Sequence, residues 1–542
     1  MKSYLLNGTA LLAALFAVPA MADTTKAPEA PVAADVQEVV VYGQGQSRQV
    51  QALKEADLAL SVPGTSPLKA LDKLPGVSFQ SADPFGAYEW STRISVRGFN
   101  QNQLGFTLDG VPLGDMSYGN HNGLHISRAI ISENLGRAEL SQGAGSLETA
   151  STSNLGGTLK FTSLAPLDVM GGTLAATYGS DKAHRVFGRF ETGKLDNLGG
   201  LRATLSVMDA KTDKWKGGSE QKQRQYNAKA VLPIGEGDLT GFFNRSERRE
   251  QDYQDMSFEM LNRLGRNWDN TIPNYALAIA AADAYQRGTA LPAPFKTVDD
   301  AYYYGAGVRD DNLYGLSLNL PVVENLTFKG SVYGHNNKGQ GLWATPYVAS
   351  PGYDPKVVSN VAPLSIRTTE YKVDRLGGMA SLTYVYGDHE ISGGFWIEKN
   401  EFEQARRFYA ETRNAPSRNS LDFQSNPFFT QWEYGFETST LQAYVQDVWT
   451  VNDALKVNFG FKALKVENKV KTIAGTALNG KIQSEDSFLP QVGAVYTVND
   501  NLELFGSYTE NMAAYVSAAT AGPFSSQNAN VFAEVKKGLK PE

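Results

Sequence analysis

Leu455-Lys456-Val457-Asn458-Phe459-Gly460-Phe461-Lys462-Ala463 is the stretch whose reading decides the fold. Successive side chains of a strand point to opposite faces. Leu455, Val457, Phe459, Phe461 and Ala463 therefore share one face, and Lys456, Asn458, Gly460 and Lys462 take the other. Further on, Leu502, Leu504, Gly506 and Tyr508 alternate in the same way with Glu503, Phe505, Ser507 and Thr509. An apolar outside and a polar inside at period two is the signature of a strand in a membrane β-barrel.

Outward from this stretch, strands are expected at about 168–180, 183–193, 198–211, 221–233, 238–250, 309–321, 325–336, 367–386, 389–402, 434–451, 454–470, 486–498 and 500–511. From the second strand on, every even-numbered strand runs into a tight turn: LDNLGG, IGEGD, PVVEN, YGDHE, VNDA and VNDN. Several odd-numbered strands run instead into long excursions, at about 251–308, 337–366, 403–433 and 471–485. Short turns on one side and long loops on the other are what an outer-membrane barrel requires, and a soluble sandwich gives no reason for them.

Composition agrees by exclusion. The 542 residues carry 50 basic and 57 acidic side chains, a net −7, so no basic excess exists to bind nucleic acid. Past residue 22 no run of about 18 apolar residues occurs, which excludes a helical membrane protein. The absence of cysteine removes disulfide scaffolds, thiolate metal sites and cysteine nucleophiles together. A hydrophobic content of 42% excludes wholesale disorder. A membrane barrel survives, because alternation dilutes its apolar residues.

The N-terminal residues read as an address. Lys2, the apolar stretch Leu5 to Val18, Pro19 and the small-x-small Ala20-Met21-Ala22 fit a secretory signal peptide over 1–22. Residues 23–35 are a Pro/Ala/Thr-rich linker. Then comes a β-branched stretch over 36–43, Val36-Gln37-Glu38-Val39-Val40-Val41-Tyr42-Gly43, isolated in polar sequence. A lone strand is unstable, so it pairs either with an edge of its own domain or with a partner's sheet.

Residues 50–165 form a compact mixed α/β unit. Ser66 to Gly76 carries a capping Ser, Pro at the first helical position and a Pro-Gly stop, the marks of a short helix. Val77-Ser78-Phe79 and Ile94 to Phe99 read as strands, and Phe106 to Leu113 as a hairpin around Asp109-Gly110. Strands at 138–140 and 156–161 flank a loop of small residues.

LDKLPGV (71–77), ISVRGF (94–99), FTLDGVPL (106–113) and ENLGRAELSQGAGSLETASTSNLGGTLKFTS (133–163) resemble, in order, the plug domain of TonB-dependent outer-membrane receptors. EVVVYG (38–43) stands where that family carries its TonB box. The motif positions are Arg97, Gly98, Asp109, Gly110, Gly156 and Gly157. The chain departs from the family's Arg-Gly-Pro and Leu-Tyr-Gly segments, having Gln142-Gly143-Ala144-Gly145 and Leu147-Glu148-Thr149 instead. The resemblance implies an antiparallel transmembrane barrel over 166–542 with the mixed plug in its lumen. It implies active import of a scarce large ligand, a ferric siderophore, an oligosaccharide or similar, across the bacterial outer membrane. TonB, driven by the inner-membrane proton gradient, would then add a strand to Val36–Tyr42. The alternatives are an outer-membrane signalling receptor and a surface adhesin without transport. The linker of about 13 residues is too short to hold the extra domain that signalling members carry.

No catalytic constellation is present: G-x-S-x-G, H-E-x-x-H and the P-loop are all missing. The chain is expected to be no enzyme and to hold no cofactor. His121 and His125 are four apart, but Asn120, Asn122 and Gly123 argue against a helix there, and they read as polar loop residues, not metal ligands. The ligand-contact candidates are Phe85, Tyr88 and Trp90 in one plug loop, Tyr118, Asn120, His121 and Asn122 in another, and Trp343 and Tyr347 in the wall's loops. Exposed rings stack on planar ligands or sugars, or else form an interfacial girdle. Arg93, Arg97, Arg128 and Arg137 with Glu133 and Glu139 are candidates for plug–wall ion pairs.

The strand count raises one more expectation. About 13 strands is odd, whereas single-chain barrels close with an even number, and plugged transporters have about 22. The sequence is expected to be part of a chain of about 800 residues, with an open sheet.

Overall fold

The computed structural model describes residues 50–116, 122–143, 145–357 and 359–542. The signal peptide, the linker and the TonB-box stretch expected from the sequence lie outside the described residues, as do Tyr118, Asn120 and His121.

The plug is built on a five-stranded sheet. Its strands are β1 (Val50–Lys54), β5 (Leu104–Leu108), β6 (Val111–Pro112), β7 (Leu135–Gln142) and β8 (Gly157–Ser163), in the order β1-β7-β8-β5-β6. Only β5 and β8 run parallel. A smaller sheet joins β2 (Val77–Gln80), β3 (Arg93–Val96) and β4 (Phe99–Asn100). Helices α1 (Glu55–Ala59), α2 (Pro67–Ala70) and α3 (Ile126–Ala129) complete it. Ser66 caps α2, its Oγ accepting from the Leu68 N–H at 3.3 Å. Leu68, Leu71, Leu113, Leu124, Ala138 and Leu159 are fully buried between these layers.

One expectation changes here. Ile94–Phe99 is not a single strand: Arg97 (φ 50°) and Gly98 (φ 88°) turn it into a hairpin. Asp109 (φ 50°) and Gly110 (φ 82°) turn β5 into β6 in the same way. Two consecutive positive φ angles are the mark of a type I′ hairpin, whose twist matches that of the strands.

The wall is one antiparallel sheet of thirteen strands, each paired with its neighbours in sequence. They are β9 (Met170–Tyr178), β10 (His184–Thr192), β11 (Arg202–Asp213), β12 (Glu220–Ile234), β13 (Gly237–Gln251), β14 (Gly305–Val323), β15 (Leu326–Thr345), β16 (Val361–Tyr386), β17 (His389–Thr412), β18 (Phe429–Asn452), β19 (Leu455–Ala474), β20 (Gly480–Asn499) and β21 (Leu502–Thr509). All thirteen expected strands are present, and β9 and β21 are the sheet's two edges. Six tight turns lie at one end. The long connection 252–304 at the other end holds α4 (Phe258–Leu264) and α5 (Tyr275–Arg287). Past β21 comes α6 (Ala529–Gly538).

The loops at 346–360, 413–428 and 475–479 are shorter than expected, because the central strands reach 20 to 26 residues. Their two ends lie in different solvents. Ile391, Phe395 and Ile397 on β17 and Leu441, Val445 and Trp449 on β18 face outward and exposed, as lipid contact demands. Further toward the loops the outward row becomes charged: Lys399, Glu401, Glu437, Glu467, Lys469 and Lys481 form ion pairs along and across the strands at 2.7–3.6 Å. Here the polar-inside expectation inverts. Leu464, Val466 and Val470 of β19 point inward and are buried against the protein. Above the lipid only water stands outside, so the apolar side turns in.

Candidate functional site

The wall packs against the plug, and a group of the contacts between them is buried and ionic. Glu89 sits in a single 3-10 turn of the plug's loop, and Arg128 lies in the last turn of the short helix α3. Arg128 Nε donates to both Glu89 oxygens at 2.9 and 3.1 Å, and its Nη1 reaches Asp311 of β14 at 2.5 Å. On the wall side Asp311 is also bound by His335 Nε2 at 3.1 Å and Asn337 Nδ2 at 2.7 Å. Next to this chain, Arg248 and Arg309 share Glu250, each at 2.8 Å. Every charged member is at most 7% exposed, so these pairs act in low dielectric.

Burial alone would raise the Glu89 carboxyl. Arg128, helped by His125, Arg309 and Arg248, outweighs it and holds the group well below the usual carboxylate range. Burial pushes His125 down to about 4, against the pull of Glu89. His125 is not helical: it caps α3, its Nδ1 accepting from the Ser127 N–H at 3.2 Å.

Other contacts tie the plug down along its height. Glu133 takes Arg185 of β10 bidentately at 2.6 and 3.0 Å. Asn227 accepts from the Ile131 N–H and from Asn134 Nδ2, each at 2.9 Å. Gln442 of β18 donates to the Thr149 carbonyl at 3.0 Å. Of the arginines singled out in the sequence, Arg128 crosses to the wall, Arg137 stays on its own strand with Glu139 at 2.8 Å, and Arg93 donates to the Trp90 carbonyl at 2.6 Å. Glu133 is bound by a wall arginine that the sequence did not suggest.

The motif residues are structural. Asp109 accepts from the Ser163 N–H at 2.8 Å, and Lys229 of β12 lies 3.7 Å from its carboxylate. A Cβ at Gly156 would lie 2.2 Å from the Phe99 Cβ, so the β3–β4 hairpin rests on bare backbone there. Gly157 opens β8.

The ligand candidates separate. Trp90 and Trp343 meet edge to face, ring centroids 6.3 Å apart, at the top of the plug. Tyr88 is 1% exposed, and its hydroxyl donates to Asp252 at 3.0 Å, so it anchors the plug instead of facing the lumen. Burial pushes the Asp252 carboxyl up to about 7, with Arg309 pulling the other way. Phe85 lines a cleft against β10–β13, away from the tryptophans. Asn122 bonds Asn400 of β17 at 2.8 Å. Tyr347 gives its hydroxyl to Asp299 at 2.5 Å within the outer loops. Sequence reasoning passed over Arg367 and Arg406. The signal was strand parity, which puts Arg367 on the same inward row as Tyr371, Val373 and Arg375.

A plug bolted into an antiparallel wall defines a class of outer-membrane receptor. The family profile "TonB-dependent Receptor Plug Domain" matches residues 44–158, and "TonB dependent receptor-like, beta-barrel" matches residues 250–542. The chain belongs to the TonB-dependent receptor family. Among curated proteins no match was found. Similar solved structures include the ferric yersiniabactin uptake receptor of Yersinia pestis (TM-score 0.60, 13% identity, 87% of this chain and 66% of that one). The unliganded ferric citrate transporter (TM-score 0.64, 14% identity, 89% and 66%) is another. A third is the ferripyoverdine receptor of Pseudomonas aeruginosa bound to ferripyoverdine (TM-score 0.62, 16% identity, 88% and 58%). These likenesses concern the fold, and the chain spans 58–66% of the length of the three.

Proposed function

We propose that this receptor imports a scarce, large ligand across the outer membrane, taking energy through TonB. The ligand is a ferric siderophore, an oligosaccharide or a molecule of similar size. The observation that carries the reading is the buried Glu89–Arg128–Asp311 chain. A lumen closed by such contacts does not pass solutes by diffusion, and breaking buried ion pairs takes work. Similar solved structures support the direction: one is a ferric yersiniabactin uptake receptor and another a ferric citrate transporter. On this reading TonB pairs with Val36–Tyr42 as an added strand and supplies that work.

Strand addition depends on backbone donors, and proline has none. Val40→Pro should abolish uptake while the ligand still binds at the cell surface. Uptake at the normal rate in that variant would contradict the coupling through Val36–Tyr42.

A further inference from the structure

We infer that the outer lumen takes a multiply anionic, oxyanion-bearing ligand between Arg367 and Arg406. The inference rests on the import reading for the ligand's destination and adds the charge of what is carried.

The two arginines sit on neighbouring strands and face the lumen. Arg367 of β16 is paired in register with Phe408 of β17, and Arg406 with Thr369, so the two are diagonal neighbours, about 7–8 Å apart at the backbone. Each has a tryptophan opposite it on its other side: Trp343 of β15 pairs with Arg367, and Trp432 of β18 with Arg406. The Arg367 Cζ lies 5.1 Å from the Trp343 ring centroid, and the Arg406 Cζ 5.2 Å from that of Trp432. The row Trp343–Arg367–Arg406–Trp432 thus crosses four strands, with Trp90 of the plug against its first member.

What marks this row is missing negative charge. Elsewhere in the lumen Arg128, Arg248 and Arg309 all meet carboxylates within 3 Å. Among the described residues neither Arg367 nor Arg406 has an ion-pair partner, and the Nε of each is buried without a hydrogen bond. Three carboxylates of these strands are engaged elsewhere: Glu370 and Glu433 hold Arg407, and Glu398 faces Arg375. Two partly buried like charges this close repel, and a ligand of opposite charge relieves the repulsion.

The geometry narrows the chemistry. An indole covers one side of each guanidinium, a favourable cation–π contact that takes up none of the N–H donors along its in-plane edge. That edge matches a carboxylate or phosphate bidentately. Two such forks suit a ligand with at least two oxyanion groups and a flat body for Trp90 and Trp343 to border. A polycarboxylate iron chelate and an acidic oligosaccharide share that chemistry.

Tryptophan fluorescence titration of the full-length receptor in detergent tests the inference, using ferric citrate, tri-galacturonate, a neutral ferric trihydroxamate and maltotriose as probes. At least one anionic probe should bind more tightly than both neutral ones and weaken as salt rises. Each Arg→Gln change at Arg367 and Arg406 should cost it roughly tenfold to a hundredfold. Arg367→Lys with Arg406→Lys should restore part of the loss, since charge returns without the fork. Anionic probes that bind no better than neutral ones, or whose affinity is unmoved by the glutamines, overturn the inference. Uptake in cells separates it from the import reading. TonB-dependent entry of a neutral probe with no anionic one bound keeps import and removes this site. Anion binding at the arginines without TonB-dependent entry does the reverse.

Discussion

Arg128 joins elements far apart in the chain: its partners Glu89 and Asp311 lie 39 and 183 residues away. Arg128 stood out as a candidate plug–wall cation, but nothing in the local sequence marks Glu89 or Asp311, and neither partner was foreseen. Removing the cation leaves two buried carboxylates facing each other. Arg128→Met should therefore cost about 3–5 kcal/mol of plug–wall stability, the usual penalty for breaking a buried pair from one side. Limited proteolysis is the check: the plug should be cut at lower denaturant while the wall stays protected. A pH effect follows from the same cluster. His125 falls from 6.5 to about 4 on folding, and Glu89 is also depressed. Both groups stabilise the plug above their unfolded values. For His125 that contribution is lost as pH falls from about 6.5 toward 4, with Glu89 adding to the loss at still lower pH. Plug protection measured against pH should drop over this window, and His125→Gln should flatten its upper part.

At the scale of elements, the thirteen strands were legible because lipid on one side and plug on the other enforce period two. Where one of those solvents is replaced, legibility fails. The strand ends above the lipid, 403–412, 429–433 and 480–485 among them, were read as loops, since Glu403, Arg407, Glu433 and Lys481 interrupt the apolar row there. Arg97-Gly98 was read as strand because its β-branched neighbours outweighed a turn without Asn or Asp. The belt predicts a depth-dependent cost. Val445→Arg, in the apolar row, should destabilise the wall by about 2–4 kcal/mol. Ser439→Arg, six residues nearer the loops and between Lys399 and Glu467 in register, should cost about 1 kcal/mol or less. Unfolding midpoints in lipid vesicles compare the two, and equal losses would misplace the belt. The candidate site was half legible: aromatic Trp90 and Trp343 stood out by composition, whereas Arg367 and Arg406 gain meaning only from cross-strand register.

For the whole molecule, buried ion pairs join plug and wall, and on the import reading something must draw them apart. A pore needs no energy, and an adhesin needs no passage. The measurement that separates the three is accumulation of labelled ligand in cells bearing the full-length receptor, with TonB present or deleted, alongside binding at the surface. The account predicts equal surface binding in both strains and accumulation only where TonB is present. Equal accumulation in the two strains, or surface binding with accumulation in neither, would contradict it.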